Sequence, residues 1–278
     1  MEIKINNHVL DVSLENEKTV GEVIAALEHW LYSSGHVLSA LSIDGQNVPA
    51  SEIEKIFVKE IVSVKSLDLL TTPLAEIASS SLINLLDDIK EYESLDFDGK
   101  NNFFEKWKVG VVSQFISQEM ADLYKFCVNT FSNADLSPQI LRTIAEERLS
   151  EVKEPQKEFT AIEPVLNDIC EKLVDLPLDI QTGKDKKAAQ TIQLFSAVTE
   201  KIFRIFYQLE IQGFFSGEQR EKNKEQLVQQ ITEFTDILKE LLDAYEKNDS
   251  VLIGDLAEYE ASVRIKKLYA SILENCRS

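Results

Sequence analysis

An α+β fold is predicted, with a small sheet domain over residues 1–70 and an all-helical domain over 71–278 that ends in an up-down helical bundle. Three observations carry this. Apolar residues alternate in short runs before residue 70 and recur at a period of about 3.6 beyond it. Glycine (9) and proline (6) are scarce among 278 residues, which disfavours an all-β fold and long loops. Short joints separate the later helices, and short joints between long amphipathic helices imply antiparallel neighbours.

The first elements follow from local chemistry. Residues 2–6 (EIKIN) and 8–12 (HVLDV) alternate, with Ile3, Ile5, Leu10 and Val12 on one face and Lys4 and Asp11 on the other. Asn6-Asn7 supplies a tight turn, which makes the pair a hairpin. Thr19-Val-Gly-Glu22 is a capping box, and the helix after it lines up Val20, Ile24, Leu27 and Leu31 until Ser33-Ser34-Gly35 ends it. Residues 37–43 (VLSALSI) form a strand closed by Asp44-Gly45, a hairpin-type turn. A short strand at Val48 and a last strand at 60–67 complete the unit.

That ββαββ order, the capped helix and the I-D-G-x-x-V turn at Ile43 to Val48 resemble the ubiquitin-like β-grasp fold. The resemblance covers about the first quarter of the chain. The chain runs on through Leu69-Leu70-Thr71-Thr72 with no diglycine, so the unit is not expected to be a conjugated modifier. The outward positions Lys4, Asp11, Ser63 and Lys65 are polar, which argues against the apolar patch that ubiquitin-type receptors read.

Beyond residue 70 the helices are placed by caps and breakers. Thr72-Pro73 reads as an N-cap with proline at N1, opening a helix to about Tyr92. A turn at Asp96–Gly99 leads to one long helix, about 102–131, carrying Phe104, Trp107, Phe115, Leu123, Cys127 and Phe131. Ser137-Pro138 repeats the cap-plus-proline start for a helix to about Val152, and Pro155 breaks it. Four helices follow near 157–176, 184–213, 218–247 and 250–275, forming the antiparallel bundle. Their joints are Pro177 to Gly183, Gly213 to Gly217, and Asn248 to Ser250.

Charge restricts the partners. The formal net charge is −19, and the acidic excess is spread along the chain: 5 Lys and Arg stand against 11 Asp and Glu in residues 1–70 alone. Such a chain is repelled by nucleic acid and by anionic lipid surfaces. No apolar run approaches the ~20 residues that span a bilayer. The N-terminus lacks the basic and apolar regions of a signal peptide, and three dispersed cysteines without a CxxC pair suit a reducing compartment. The expected location is cytoplasmic.

Ser94, Asp96, Asp98, Gly99 and Glu105 trace the outline of an EF-hand loop, but serine replaces the first aspartate and Asn101 the usual apolar residue, so no calcium is expected there. His8, His29 and His36 lie in the small domain with no HxxxH or HxH spacing, which leaves neither a zinc site nor a base for Cys127 or Cys170. A di-iron bundle needs Glu-x-x-His motifs, and the bundle has no histidine. No Walker loop or GxGxxG occurs. No cofactor and no metal are expected.

Residues 243–260, DAYEKNDSVLIGDLAEYE, stand apart. Ser250 is placed to cap a helix whose first turns hold Asp255, Glu258 and Glu260. The segment is similar to a D-x-V-L-I-x-D-x-L-E-Y-E pattern of uncharacterised helical bacterial proteins, a resemblance that implies a helical fold and no activity. Asp255, Glu258 and Glu260 are the expected partner surface, with Leu256, Tyr259 and Val263 as the buried side of the helix. Trp30, at the flank of the first helix stripe, is expected to pack toward the helical domain.

The expected function is that of a non-enzymatic cytoplasmic adaptor, assembly factor or chaperone-like protein. Its partner would be another protein, offering a basic or amphipathic segment. A small-ligand or metal-sensing helical protein, using the bundle core or the Asp96 loop, is the first alternative. An enzyme working through carboxylates alone is the second.

Overall fold

The computed structural model describes the chain except residues 12, 13, 15, 133–135, 216, 217, 248 and 278, and except the side chains of 50, 218–224 and 277. Five strands form the N-terminal sheet: β1 (Glu2–Ile5), β2 (His8–Val9), β3 (His36–Ile43), β4 (Gln46–Asn47) and β5 (Ser66–Pro73). Their order is β2-β1-β5-β3-β4, with β1 and β5 parallel and the other pairs antiparallel. Both hairpins turn through left-handed residues, Asn6 and Asn7 in one (φ 48° and 68°) and Asp44 and Gly45 in the other (φ 50° and 79°). Two positive φ angles match the twist of the strands, and Asn, Asp and Gly adopt them at least cost. Val12 of the expected second strand lies outside the described residues.

Helix α1 (Val20–Ser33) packs on the sheet and begins with the expected box. Thr19 accepts from the Glu22 amide at 3.3 Å while the Glu22 carboxylate takes the amides of Lys18 and Thr19. Ile3, Val20, Val23, Ile24, Leu41, Leu67 and Leu69 form the core between helix and sheet. The last strand departs from expectation. Residues 61–63 make a 3-10 turn after a short helix α2 (Ile53–Phe57), and the strand starts at Ser66 and runs through Thr72-Pro73. Asp44 explains the start, because its carboxylate receives the amides of Lys65 and Ser66, both at 2.8 Å, and holds its own pKa below the usual carboxylate value. Helix α3 (Leu74–Ser94) then follows with no linker, so Pro73 is its N-cap rather than its first residue. The Leu74 amide donates to the Gly35 carbonyl at 2.8 Å.

The expected single helix over 102–131 is three helices: α4 (Phe97–Trp107), α5 (Val111–Glu119) and α6 (Ala121–Phe131). Gly110 and Met120 take non-helical backbone at the two breaks, with ψ 159° and φ −140° respectively. Breaking the rod folds the apolar stripe back on α3, where the rings of Tyr92, Phe103, Trp107 and Phe131 meet at interplanar angles of 58–65° with centroids 5.0–5.3 Å apart. Helix α7 (Pro138–Lys153) begins where Ser137-Pro138 place it.

The chain divides into two compact units, residues 1–149 and 150–278. The change of period near residue 70 is therefore a change of secondary structure within the first unit. Helices 74–131 group with the sheet because β5 runs straight into α3.

The second unit holds α8 (Pro155–Ala161), α9 (Glu163–Gln181), α10 (Asp185–Ile211), α11 (Glu218–Glu246), α12 (Ser250–Asp255), a π-helical turn (Leu256–Ala261) and α13 (Ser262–Arg277). Pro177, expected at a joint, lies inside α9, and the joint is Thr182 to Lys184. Helix α9 packs against α10 and α12, while α11 packs against α12, the π turn and α13. The core runs from Phe159, whose ring stacks on Tyr269 at 4.8 Å, to Phe234, which meets Phe195 and Phe203 edge-on at 6.2 Å. Two carboxylates are buried with partners. Glu151 is held by Arg204 through two hydrogen bonds of 3.0 and 3.1 Å, and Asp179 by Lys187 at 2.8 Å and Lys184 at 3.3 Å. Among the described residues, no helix is long and apolar enough to cross a membrane.

Candidate functional site

The segment singled out in the sequence, 243–260, forms a distinctive piece of backbone. Its cap is Asp249, one residue before the expected Ser250: the Asp249 carboxylate accepts from the Leu252 amide at 3.1 Å. Helix α12 then runs so close to α9 that a Cβ on Gly254 would lie 2.7 Å from Cγ of Pro177. At Leu256 the helix widens into the π turn, and Ser262 donates back to the Glu258 carbonyl at 2.5 Å as α13 begins.

A π turn takes about one more residue per turn than an α turn, so it rotates everything beyond it relative to what came before. The buried positions become Ile253, Leu256, Ala257, Ala261, Ile265 and Leu268. Leu256 is buried as expected, but Tyr259 and Val263 are not: they are 63% and 57% exposed. The buried stripe runs through Ile253, Ala257, Ala261, Ile265 and Leu268, at ordinary helical spacing, and Tyr259 and Val263 fall on the opposite face.

Of the three acids, Glu260 is taken up by Arg264 at 2.7 Å, and Arg264 also reaches Glu233 of α11 at 2.9 Å. Asp255 and Glu258 both act on Tyr259. A hydrogen bond to Glu258, its charge, and the charge of Asp255 push the Tyr259 phenol above its ordinary pKa, so the ring stays a neutral donor at physiological pH. Next to it a depression of about 260 Å³ opens between α11 and α13, lined by Gln230, Glu233, Tyr259, Val263, Arg264 and Lys267 among others. The surface thus combines an exposed aromatic, an exposed valine, two carboxylates and a cationic border. That is chemistry for binding.

The other expected positions fall elsewhere. Trp30 is 51% exposed, and a link from α1 to α5 comes from Tyr32, whose hydroxyl donates to Glu119 at 2.6 Å. Asp96 caps α4 by accepting from the Gly99 amide at 2.8 Å, so Asp98, Gly99 and Glu105 belong to a helix rather than to a loop. Cys127 and Cys170 are buried, and burial pushes both thiols up, away from the thiolate form a nucleophile requires. Among the described residues, no group of three or more His, Cys, Asp or Glu is placed to hold a metal ion. The exposure of Tyr259 was legible in the spacing of Ile253, Ala257, Ala261, Ile265 and Leu268, a stripe built partly of small residues, whereas the expected one followed the larger side chains Leu256, Tyr259 and Val263.

Comparison with known proteins locates the two ends of the chain. Residues 1–73 match the family model of the TP0873 N-terminal domain, and residues 158–271 match that of a domain of unknown function (DUF8042). Over 273 residues the chain is 23% identical to an uncharacterised protein of Treponema pallidum (strain Nichols), covering 98% of this chain and 96% of that relative. No solved structure matches. The second family model includes the whole π turn, and the first ends where β5 meets α3.

Proposed function

We propose that this protein is a non-enzymatic cytoplasmic adaptor, assembly factor or chaperone-like protein that binds another protein through the face carrying Tyr259. The observation that carries the reading is the exposure of Tyr259 and Val263, with the carboxylates of Glu258 and Asp255 acting on the tyrosine. Tyrosine at the centre of a docking patch supplies a large, rigid contact and a hydroxyl donor, and such residues dominate binding energy. The two carboxylates favour a basic or amphipathic segment and act chiefly on its rate of association. The burial of Cys127 and Cys170 supports the non-enzymatic part of the reading. Within it, residues 1–73 are a ubiquitin-like β-grasp unit; the strand order β2-β1-β5-β3-β4 around one capped helix supports that assignment.

The test is capture of partners from native lysate by the full chain and by Tyr259→Ala, compared by mass spectrometry. A partner held by the native chain and lost with Tyr259→Ala is expected. For that partner, replacing Asp255 with Asn and Glu258 with Gln should slow association and flatten its salt dependence. Partners retained equally by the native chain and the Tyr259 variant would place the docking surface elsewhere.

A further inference from the structure

The solvent side of the Tyr259 segment carries a pattern of its own. Asp255, Tyr259, Val263 and Lys267 are all exposed and follow one another at intervals of four, opposite the buried Ile253, Ala257, Ala261 and Ile265. In a regular α-helix a stripe of that interval drifts about 40° around the axis at each step. The π turn over Leu256–Ala261 fits more residues into a turn and takes back part of the drift, which keeps the four side chains on one side. Rows of side chains four apart are also the ridges through which helices most often pack.

The two ends of the stripe are opposite in charge. Among the described residues, neither Asp255 nor Lys267 has an ion-pair partner, whereas Glu260 and Arg264 between them pair with each other. Along the chain the stripe therefore reads acid, aromatic, apolar, cation. Turned end for end about a two-fold axis at the level of residue 261, it becomes its own complement: Asp255 meets Lys267 and Tyr259 meets Val263, each contact made twice. One axis serves both, because both pairs are centred on residue 261. A segment that is only basic would satisfy Asp255 and set like charge against Lys267. This stripe answers both ends, and a self-complementary patch is what a two-fold dimer requires.

We propose that this stripe pairs antiparallel with the same stripe of a second copy of the chain, forming a two-fold dimer. The pairing rests on the reading of the Tyr259 face as a docking surface and gives that surface a partner. Each tyrosine ring lies against Val263 and the stem of Lys267 of the other copy, at the depression of about 260 Å³ that those residues help to line. The contact is small and each copy carries a net charge of −19, so the dimer is weak and a different protein with a matching segment displaces it.

Sedimentation equilibrium of the full chain from about 1 μM to 1 mM tests this. The native chain should dimerise within that range. Asp255→Lys alone and Lys267→Asp alone should each weaken the dimer about ten- to a hundredfold, since both charged contacts across the axis become repulsive. An equimolar mixture of the two variants should dimerise as the native chain does: every contact again joins opposite charges, and the pair carries the same total charge as two native chains. Asp255→Lys combined with Lys267→Asp in one chain should restore the dimer as well. Tyr259→Ala should weaken the native dimer about tenfold. A native chain that is monomeric throughout, a dimer unmoved by both single reversals, or two variants that melt as the native chain does yet stay monomeric when mixed would each overturn the pairing. If the native chain is monomeric and still loses a lysate partner with Tyr259→Ala, the pairing alone is overturned. A charge-dependent dimer whose lysate partners ignore Tyr259→Ala supports the pairing and overturns docking of a different protein at this face.

Discussion

Gly254 of α12 lies directly against the ring of Pro177 in α9, so close that a Cβ at position 254 would sit 2.7 Å from Cγ and 3.0 Å from Cβ of the proline. Neither partner yields easily, since one is a helix backbone and the other a closed ring. Alanine normally stabilises a helix interior relative to glycine. Here the clash prevails, and Gly254→Ala should lower stability by about 1–3 kcal/mol. Urea unfolding of the full chain measures this; a gain in stability would show that the two helices separate freely.

The two tryptophans report on different environments. Trp107 is 7% exposed and its Nε1 donates to Asp88 at 3.0 Å, whereas Trp30 is 51% exposed. Acrylamide should therefore quench the emission in two fractions. Trp30→Phe should leave only the protected fraction and Trp107→Phe only the accessible one. A protected Trp30 in the intact protein would mean that its ring is covered after all.

Asp179 makes folding pH-dependent. Hydrogen bonds from Lys187 and then Lys184, with their charges, hold its carboxyl below the ordinary value of 3.8. A carboxylate with a depressed folded pKa contributes stability that is complete above the unfolded value and lost as pH falls through the folded one. The melting temperature of the native chain should thus exceed that of Asp179→Asn by a constant margin above about pH 5, and the margin should shrink as pH drops below 3.8. A margin that grows in acid would contradict the assignment.

Glu151 is 2% exposed and meets the Arg204 guanidinium through two parallel hydrogen bonds. Such pairs gain little on formation but cost much to break, because the remaining charge keeps its burial and loses its partner. Arg204 retains partial exposure, which moderates the loss. Glu151→Gln should cost about 1–3 kcal/mol in urea unfolding, and Arg204→Met with Glu151→Leu should recover part of it. A double variant less stable than the single one would show that the pair itself stabilises the fold.

Where local chemistry decides a structure, the residues announced it. Thr19 and Glu22 specify their box, Asn6-Asn7 and Asp44-Gly45 their turns, and Ser137-Pro138 the start of α7, since each acts within four positions. What was not legible depends on distant partners. Strand β5 is placed by Asp44 gripping Lys65 and Ser66 across 21 and 22 positions, so no local signal separates it from the 3-10 turn before it. Pro177 continues a helix because Leu173 and Leu176 are buried before it and Asp179 is tied to two lysines after it. The same holds at the surface: the acids at 255, 258 and 260 were visible, but that Arg264 also reaches Glu233 and that the stripe through Ala257 and Ala261 is the buried one depend on how α11 and α9 pack against this segment.

Strand β5 occupies the middle of the sheet, pairs in parallel with β1, and passes into α3 without a spare residue. That continuity has a mechanical meaning. A pull on the far end of α3 reaches the central strand undamped, with no slack to take it up. Against an anchor at Met1 it loads the β1–β5 rungs in shear, all at once, instead of peeling them apart one by one. The sheet is built to hold against tension along this axis and to yield abruptly when it fails.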